Sequence, residues 1–390
     1  MSRPRPAGQH TVRRHNSALV LGALSTAPGS SRAAVAAATG LTKATVSSLV
    51  DRLIGAGLIA EGEVEFRLGP GRRGTALHLS PAGPHGLGVE IGVDHITTWL
   101  VDFTGHVRRK WVRPGDNRNS APARVLAKVA TAVRAAATED VPIGGVGVAV
   151  PGLVEAATGT LRVAPNLGWR EVDVRDELVR RAALDVPVLV GNEANLAALA
   201  ELRHGVGGRD FVHISGEIGI GAGIVVHGAL FEGVSGFGGE LGHLPVDPRG
   251  PVCGCGSRGC LERLAGQDRI VRAAGVTTVA ELLTALAGNE KAALAAVRTA
   301  ARWLGVALSA AINLLDLPTV VLGGTYAHLE PWLGPPLAAE LSRRVLGAQW
   351  SPVRVVASEL GADAAVLGAA GSAIRAILAD PDPYVASVLG

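Results

Sequence analysis

Apolar residues recur at helical spacing near the start of this chain and as strand-length runs alternating with alanine-rich stretches from about position 85 onward. Leu19, Val20, Leu21 and Leu24 predict a short helix from Asn16 to Leu24, which Pro28-Gly29-Ser30-Ser31 ends while offering a serine cap to the next. Arg32 to Thr39 is alanine-rich, with Val35 and Ala38 three apart, and Gly40 closes it. Thr42 can cap a third helix, in which Val46, Leu49, Val50 and Leu53 recur at i, i+3, i+4 and i+7 as an inward stripe until Gly55 and Gly57. Its opposite side carries Thr42, Lys43, Thr45, Ser47 and Ser48, all small or polar. Two helices joined by a three-residue turn holding a glycine form a helix-turn-helix, whose second helix presents its N-terminal polar side chains to the major groove. Leu58-Ile59-Ala60 then reads as a strand and Phe66 to Leu79 as a second, interrupted by a glycine-rich tip from Gly69 to Gly74. That hairpin is expected to be a wing, with Arg72 or Arg73 reaching phosphate or minor groove. A plain helical hairpin is the competing reading of the same pattern.

Pro81 to Pro84 reads as a linker, and the pattern then changes. Leu87 to Val93 and Thr97 to Phe103 predict a strand hairpin, and Ala121 to Ala137 a helix. Val146 to Val150 predicts a strand ending in Pro151-Gly152; Val186 to Val190 predicts another, running through Gly191-Asn192-Glu193-Ala194-Asn195 into a helix that reaches about Arg203. Such alternation predicts an α/β body with buried sheets.

Hydrophobic residues make up 48% of the 390 positions, alongside 52 glycines and 22 prolines, which fits a folded chain with two or three domains. No apolar run approaches the ~20 residues of a membrane helix, and Met-Ser-Arg-Pro-Arg-Pro leads into no signal-peptide core. The expectation is a cytoplasmic protein with no membrane partner. Charge is uneven: residues 1–80 hold ten Lys or Arg against four acids, or +6, leaving −3 on the rest out of a total of +3. A basic head on a mildly acidic body suits a head that meets a polyanion.

All three cysteines fall within eight positions, Cys253, Cys255 and Cys260, and His243 stands ten residues before the first. Thiolates and an imidazole are borderline-soft donors, and three sulfurs with one nitrogen fill the tetrahedral shell of Zn²⁺, leaving no open position for a catalytic water. The expected site is therefore structural zinc; ordinary buried thiols or a disulfide are the alternative, though an odd count cannot fully pair. Glu240 lies three residues before the histidine and Glu262 two after the last cysteine, so the metal would fix two carboxylates in space.

Taken with Gly239-Glu240-Leu241-Gly242-His243, with Val320 to Gly324 and with Ala164-Pro165-Asn166-Leu167-Gly168-Trp169, the cysteine loop through Glu262 resembles the ROK family of repressors and sugar kinases over nearly the whole chain. The resemblance implies a winged helix-turn-helix over residues 1–80, followed over 85–390 by a two-lobed, actin-like ATPase fold. One lobe would span about 85–190 plus the C-terminal helix and the other about 191–370. It implies zinc ligands at His243, Cys253, Cys255 and Cys260, and a sugar site at Asn166, Asn192, Glu193, Glu240, His243 and Glu262. Carboxylates and an amide suit vicinal sugar hydroxyls, which both donate and accept; ordinary salt bridging is the rival role for the acids.

ROK kinases cradle phosphate with a first loop of the form Asp-x-Gly-Gly-Thr, whereas this chain has Glu90-Ile91-Gly92-Val93-Asp94. The valine blocks close backbone approach and the aspartate repels phosphate. The second loop begins Glu217-Ile218 where Gly-Thr is expected, and Asn192-Glu193 replaces the Asn-Asp pair that holds the kinase base. A carboxylate displaced by ~1 Å can cost ~10²-fold in rate. The expectation is a sugar-responsive regulator, similar to the xylose-repressor type, with no catalytic residue. It would bind an inverted-repeat operator as a homodimer or homotetramer. A DNA-binding sugar kinase and a regulator answering to a protein partner are the rivals.

Overall fold

The protein is described by a computed structural model that covers residues 9–64, 75–137 and 141–390. Its head begins with α1 (Gln9–Thr26), longer than the leucine spacing alone predicts, and continues with α2 (Arg32–Thr39) and α3 (Lys43–Gly55). Ser31 caps α2, its hydroxyl accepting the Ala34 N–H, and Gly40 ends it in the left-handed conformation at φ 71°. Thr42 caps α3 by accepting the Thr45 N–H at 3.2 Å. The axes of α2 and α3 turn through 116°, a helix-turn-helix angle. Val46, Leu49, Val50 and Leu53 are all buried, as the heptad-like stripe predicts. Strands β1 (Ile59–Val64) and β2 (Thr75–Leu79) pair antiparallel as the stem of the wing. Arg72 and Arg73, named above for its tip, lie outside the described residues.

The body opens with the meander β3 (His85–Ile91), β4 (His95–Val101) and β5 (Val107–Pro114), followed by α4 (Pro122–Ala137) and β6 (Ile143–Val150). A small sheet of β7 (Leu153–Glu155), β8 (Thr160–Ala164) and β9 (Trp169–Asp173) comes next, then α5 (Val174–Ala182), β10 (Val188–Asn192) and α6 (Glu193–His204). The first large sheet runs β10-β6-β3-β4-β5. A second meander, β11 (Phe211–Gly216), β12 (Ile220–Val226) and β13 (Ala229–Leu230), leads to α7 (Leu261–Ala265), α8 (Gln267–Ala273), α9 (Val279–Ala287) and α10 (Lys291–Leu315). The chain then adds β14 (Thr319–Gly324), α11 (Thr325–Arg344), β15 (Arg354–Ala357), α12 (Ala364–Ala379) and α13 (Asp382–Leu389). The second sheet runs β13-β12-β11-β14-β15. Each sheet is an antiparallel meander extended by two parallel strands from its first strand, so one topology occurs twice.

Helices α6 and α12 join the two halves. The glycines alternating along β3 and β6 leave a flat strip on which α12 lies: a Cβ on Gly88 would collide with the Val366 carbonyl, and one on Gly147 with that of Ala369. With its alanines, valine, leucines and isoleucines, Gly361–Ala379 is long and apolar enough by composition to cross a membrane, contrary to the expectation from the sequence; 61% of it is buried in the protein. The expected linker is tight: Gly83 and Pro84 are buried. Head and body share one hydrophobic core, in which Leu21, Leu24 and Leu53 meet Trp99, Phe103, Ile377 and Val385. Ion pairs rim that contact, Arg14 to Asp380 at 2.7 Å and Arg52 to Asp382 at 2.9 Å, with Asp382 almost fully buried.

Candidate functional site

A cavity of about 470 Å³ opens between the two sheets, and all six residues named for a sugar, Asn166, Asn192, Glu193, Glu240, His243 and Glu262, line it. Glu193 enters from the first turn of α6. Asn192 is the cap of that helix, its carbonyl oxygen accepting the N–H groups of Ala194 and Asn195. Its amide donates to the Gly152 carbonyl and to Glu193 Oε2, both at 3.0 Å. Every polar atom of Asn192 is thus engaged within the protein, with one amide N–H held by Glu193. Burial, joined by the charges of Glu240, Glu217 and Glu90, pushes the Glu193 carboxyl up to about 8. Asn166 and Glu262 reach the same point, each 3.2 Å from where a Cβ on Gly219 would stand.

The donor atoms of His243, Cys253, Cys255 and Cys260 lie within 4.8 Å of one another, the one such cluster among the described residues, and could hold a metal ion. Cys255 and Cys260 have their sulfurs 3.7 Å apart, far beyond a disulfide and close to the edge of a tetrahedron with ~2.3 Å metal–sulfur bonds. His243 Nδ1 is 3.7 Å from the Cys253 sulfur, which leaves Nε2 as the nitrogen available to the cavity. Burial raises the thiols of Cys253 and Cys260, so a cation is what would keep them as thiolates. Glu262 accepts from the Cys253 thiol at 2.9 Å, tying the cavity wall to the cluster.

At the other end of the cavity stand Glu90, Asp94 and Glu217. Sequence reasoning identified those acids but missed His95. A Cβ on Gly92 would stand 2.5 Å from the His95 ring, so the imidazole fills the space that this glycine leaves open. His95 Nδ1 bonds Asp94 at 2.7 Å, and Nε2 lies 3.9 Å from Glu90. Glu217 presses on Gly324, 3.1 Å from where its Cβ would be. The signal for His95 was present in the tight β3–β4 turn, which folds the residue after Asp94 back over the loop.

In the head, Thr42, Lys43 and Ser48 are exposed, while Thr45 and Ser47 are half-buried. The hydroxyls of Thr42 and Thr45 bond each other at 2.9 Å. Arg32 bonds Asp51 at 2.7 Å and Glu61 at 3.0 Å, bracing α2 against α3 and β1.

Fold and cavity together define a sugar-kinase-like body carrying a winged helix-turn-helix. Residues 86–376 match the ROK family, and the chain belongs to it. Residues 14–65 match the MarR family. Along 96% of its length the chain is 29% identical to a xylose repressor of Caldicellulosiruptor bescii, of which it covers 99%. A Streptomyces coelicolor glucokinase is 30% identical over 77% of the chain and 99% of its own length. In fold, the chain matches a ROK family transcriptional regulator described as a homologue of the E. coli MLC protein, with TM-score 0.82, 24% identity and coverage of 97% of this chain and all of the other.

Proposed function

We propose that this protein is a sugar-responsive transcriptional repressor of the cytoplasm, which binds an inverted-repeat operator through α3 and its wing. Its operator affinity changes when a sugar or sugar derivative enters the interlobe cavity. The observation that carries this reading is a helix-turn-helix head built into the core of a body whose cleft is lined by Asn166, Asn192, Glu193, Glu240, His243 and Glu262, with His95 lying over Gly92 and Glu217 against Gly324. A two-fold assembly, dimer or tetramer, matches an inverted repeat.

Glu193 and Glu240 would accept from ligand hydroxyls, Asn166 and His243 Nε2 would complete the ring of partners, and Asn192 would hold Glu193 in place. Zinc on His243, Cys253, Cys255 and Cys260 would supply a fixed loop rather than chemistry. No side chain is assigned to catalysis, because a nucleotide would meet an imidazole and three carboxylates where phosphate donors belong. The glucokinase relatives keep the kinase alternative worth one assay of ATP consumption with hexoses.

Coupling to the head would run from Glu193 through α6 to α12 and on to Asp380 and Asp382, which hold Arg14 and Arg52. Allosteric couplings are typically ~1–3 kcal/mol, enough to release an operator. The test is operator affinity measured with and without a panel of sugars, xylose first because relatives are xylose repressors. A ligand-dependent change supports the reading, and none across a broad panel sinks it. Asp382→Asn should reduce the sugar-dependent change in operator affinity more than it reduces sugar affinity, measured by titrating each separately.

A further inference from the structure

The sugar-facing side chains occupy only part of the cavity, which at about 470 Å³ has room for more than one pyranose ring. Six carboxylates line it, from Glu90, Asp94, Glu193, Glu217, Glu240 and Glu262, and among the described lining residues there is no lysine or arginine. At the end away from the cysteine cluster the imidazole of His95 stands beside Glu90 and Asp94 and is already bonded to Asp94, and His328 lines the cavity as well. Acids crowded in this way raise one another: burial first, then Glu217, Asp363 and Asp94, push Glu90 up to about 8. A cation placed there would relieve that crowding, and a phosphate would add to it.

A second, independent feature lines the same cavity. His213 on β11 is 1% exposed, lines the same cavity, and has no hydrogen-bond partner on either ring nitrogen. Ser215, two residues on and so on the same face of the strand, lines it too. A buried imidazole without a partner is costly unless something polar comes to meet it. A ligand filling more of the cavity than one ring would bring polar groups to this face of β11.

We propose that the effector is an amine-bearing saccharide, with one ring among Asn166, Glu193, Glu240 and His243 and a protonated amine held by Glu90, Asp94 and Glu217, its connecting hydroxyls meeting His213 and Ser215. This rests on the reading that the cavity binds sugar, and it adds the charge and length of the ligand. It also excludes sugar phosphates as effectors.

Calorimetric titration of the full chain, with its metal, tests this at low ionic strength. The probes are glucose, xylose, glucose 6-phosphate, a β-1,4-linked glucosamine disaccharide and the N-acetylated form of that disaccharide, in which the rings are kept and the charge is removed. The free amine should bind about tenfold or more tightly than its N-acetylated counterpart. That advantage should shrink with added salt, and in Glu90→Gln/Glu217→Gln the ratio should fall toward one. Neutral sugars binding as well as the amine would overturn the proposal while leaving the sugar-effector reading intact, as would glucose 6-phosphate binding best. No binding by any probe would overturn both.

Discussion

The two ends of the interlobe cavity are built from the same kind of residue to opposite effect. At the end beside the cysteine cluster, Glu193 accepts from the Asn192 amide at the cap of α6, Glu262 lies against the Cys253 sulfur, and His243 stands among the three cysteines. At the other end, Glu90, Asp94 and Glu217 face one another and His95 lies on the glycine a phosphate would need. One end presents hydrogen-bonding groups to the cavity, and the other is occupied by the protein's own side chains. On the proposed reading, a kinase scaffold has kept recognition and closure while giving up transfer, and the chemistry it gave up is blocked sterically and by charge at once.

The largest effect that would break this contrast comes from the metal. If the cluster fixes the sugar-facing end, chelation or Cys255→Ser should lower the melting temperature by about 5 °C or more and abolish any sugar response. Elemental analysis should find one zinc per chain. A metal-free protein with the same melting curve and the same sugar response would remove the cluster from the argument. Next in size is Glu240→Ala. Loss of a carboxylate that pairs with ligand hydroxyls should weaken sugar binding about 10–100-fold by calorimetry, and unchanged affinity would place the ligand elsewhere.

The sequence-level reading recovered what local rules control. Ser31 and Thr42 as caps, Gly40 as a stop and the Val46–Leu53 stripe depend on residues three or four apart, and the structure has them as expected. The clustering of His243 with the cysteines was legible because all four residues lie within eighteen positions of one another. What escaped depends on long-range approach. That Asn192 spends its side chain on Gly152 and the α6 cap requires knowing how β10 ends beside the loop after β6. The burial of α12 between sheet and α6 is written only as alternating glycines on β3 and β6, which read as weak strand residues until the helix that they admit is in place. The same holds for Asp380 and Asp382, ordinary acids in sequence that become the rim of the head's core.

A third perturbation tries to reverse the contrast. In the triple variant Val93→Gly, Asp94→Thr and His95→Ala the first phosphate loop regains its second glycine and hydroxyl, and the space over Gly92 is opened. Affinity for a non-hydrolysable ATP analogue should rise on the order of tenfold over the unaltered protein, read by calorimetry, while Glu217 against Gly324 continues to limit it. If the unaltered protein already binds the analogue as tightly as the triple variant does, the blocked loop is not what separates this chain from its kinase relatives.

The smallest expected effect isolates the acidic end by itself. Glu90 is raised from 4.5 to about 8 by burial and by Glu217, Asp363 and Asp94, so the folded protein holds a proton there that the unfolded chain releases. The sign follows: this contribution is fully present below pH 4.5, is lost as the pH rises through about 8, and levels off above that. The useful window is pH 7 to 9, where the unaltered protein should lose stability with rising pH. Glu90→Gln removes the titrating group while keeping the shape of the side chain, so its urea-unfolding free energy should fall less across that window, by roughly 1–2 kcal/mol. Some slope should persist in the variant because Glu193 is raised to about 8 as well. Parallel stability curves for the two proteins would mean that Glu90 is already ionised at neutral pH, and the crowding of carboxylates that distinguishes this end of the cavity would lose its energetic meaning.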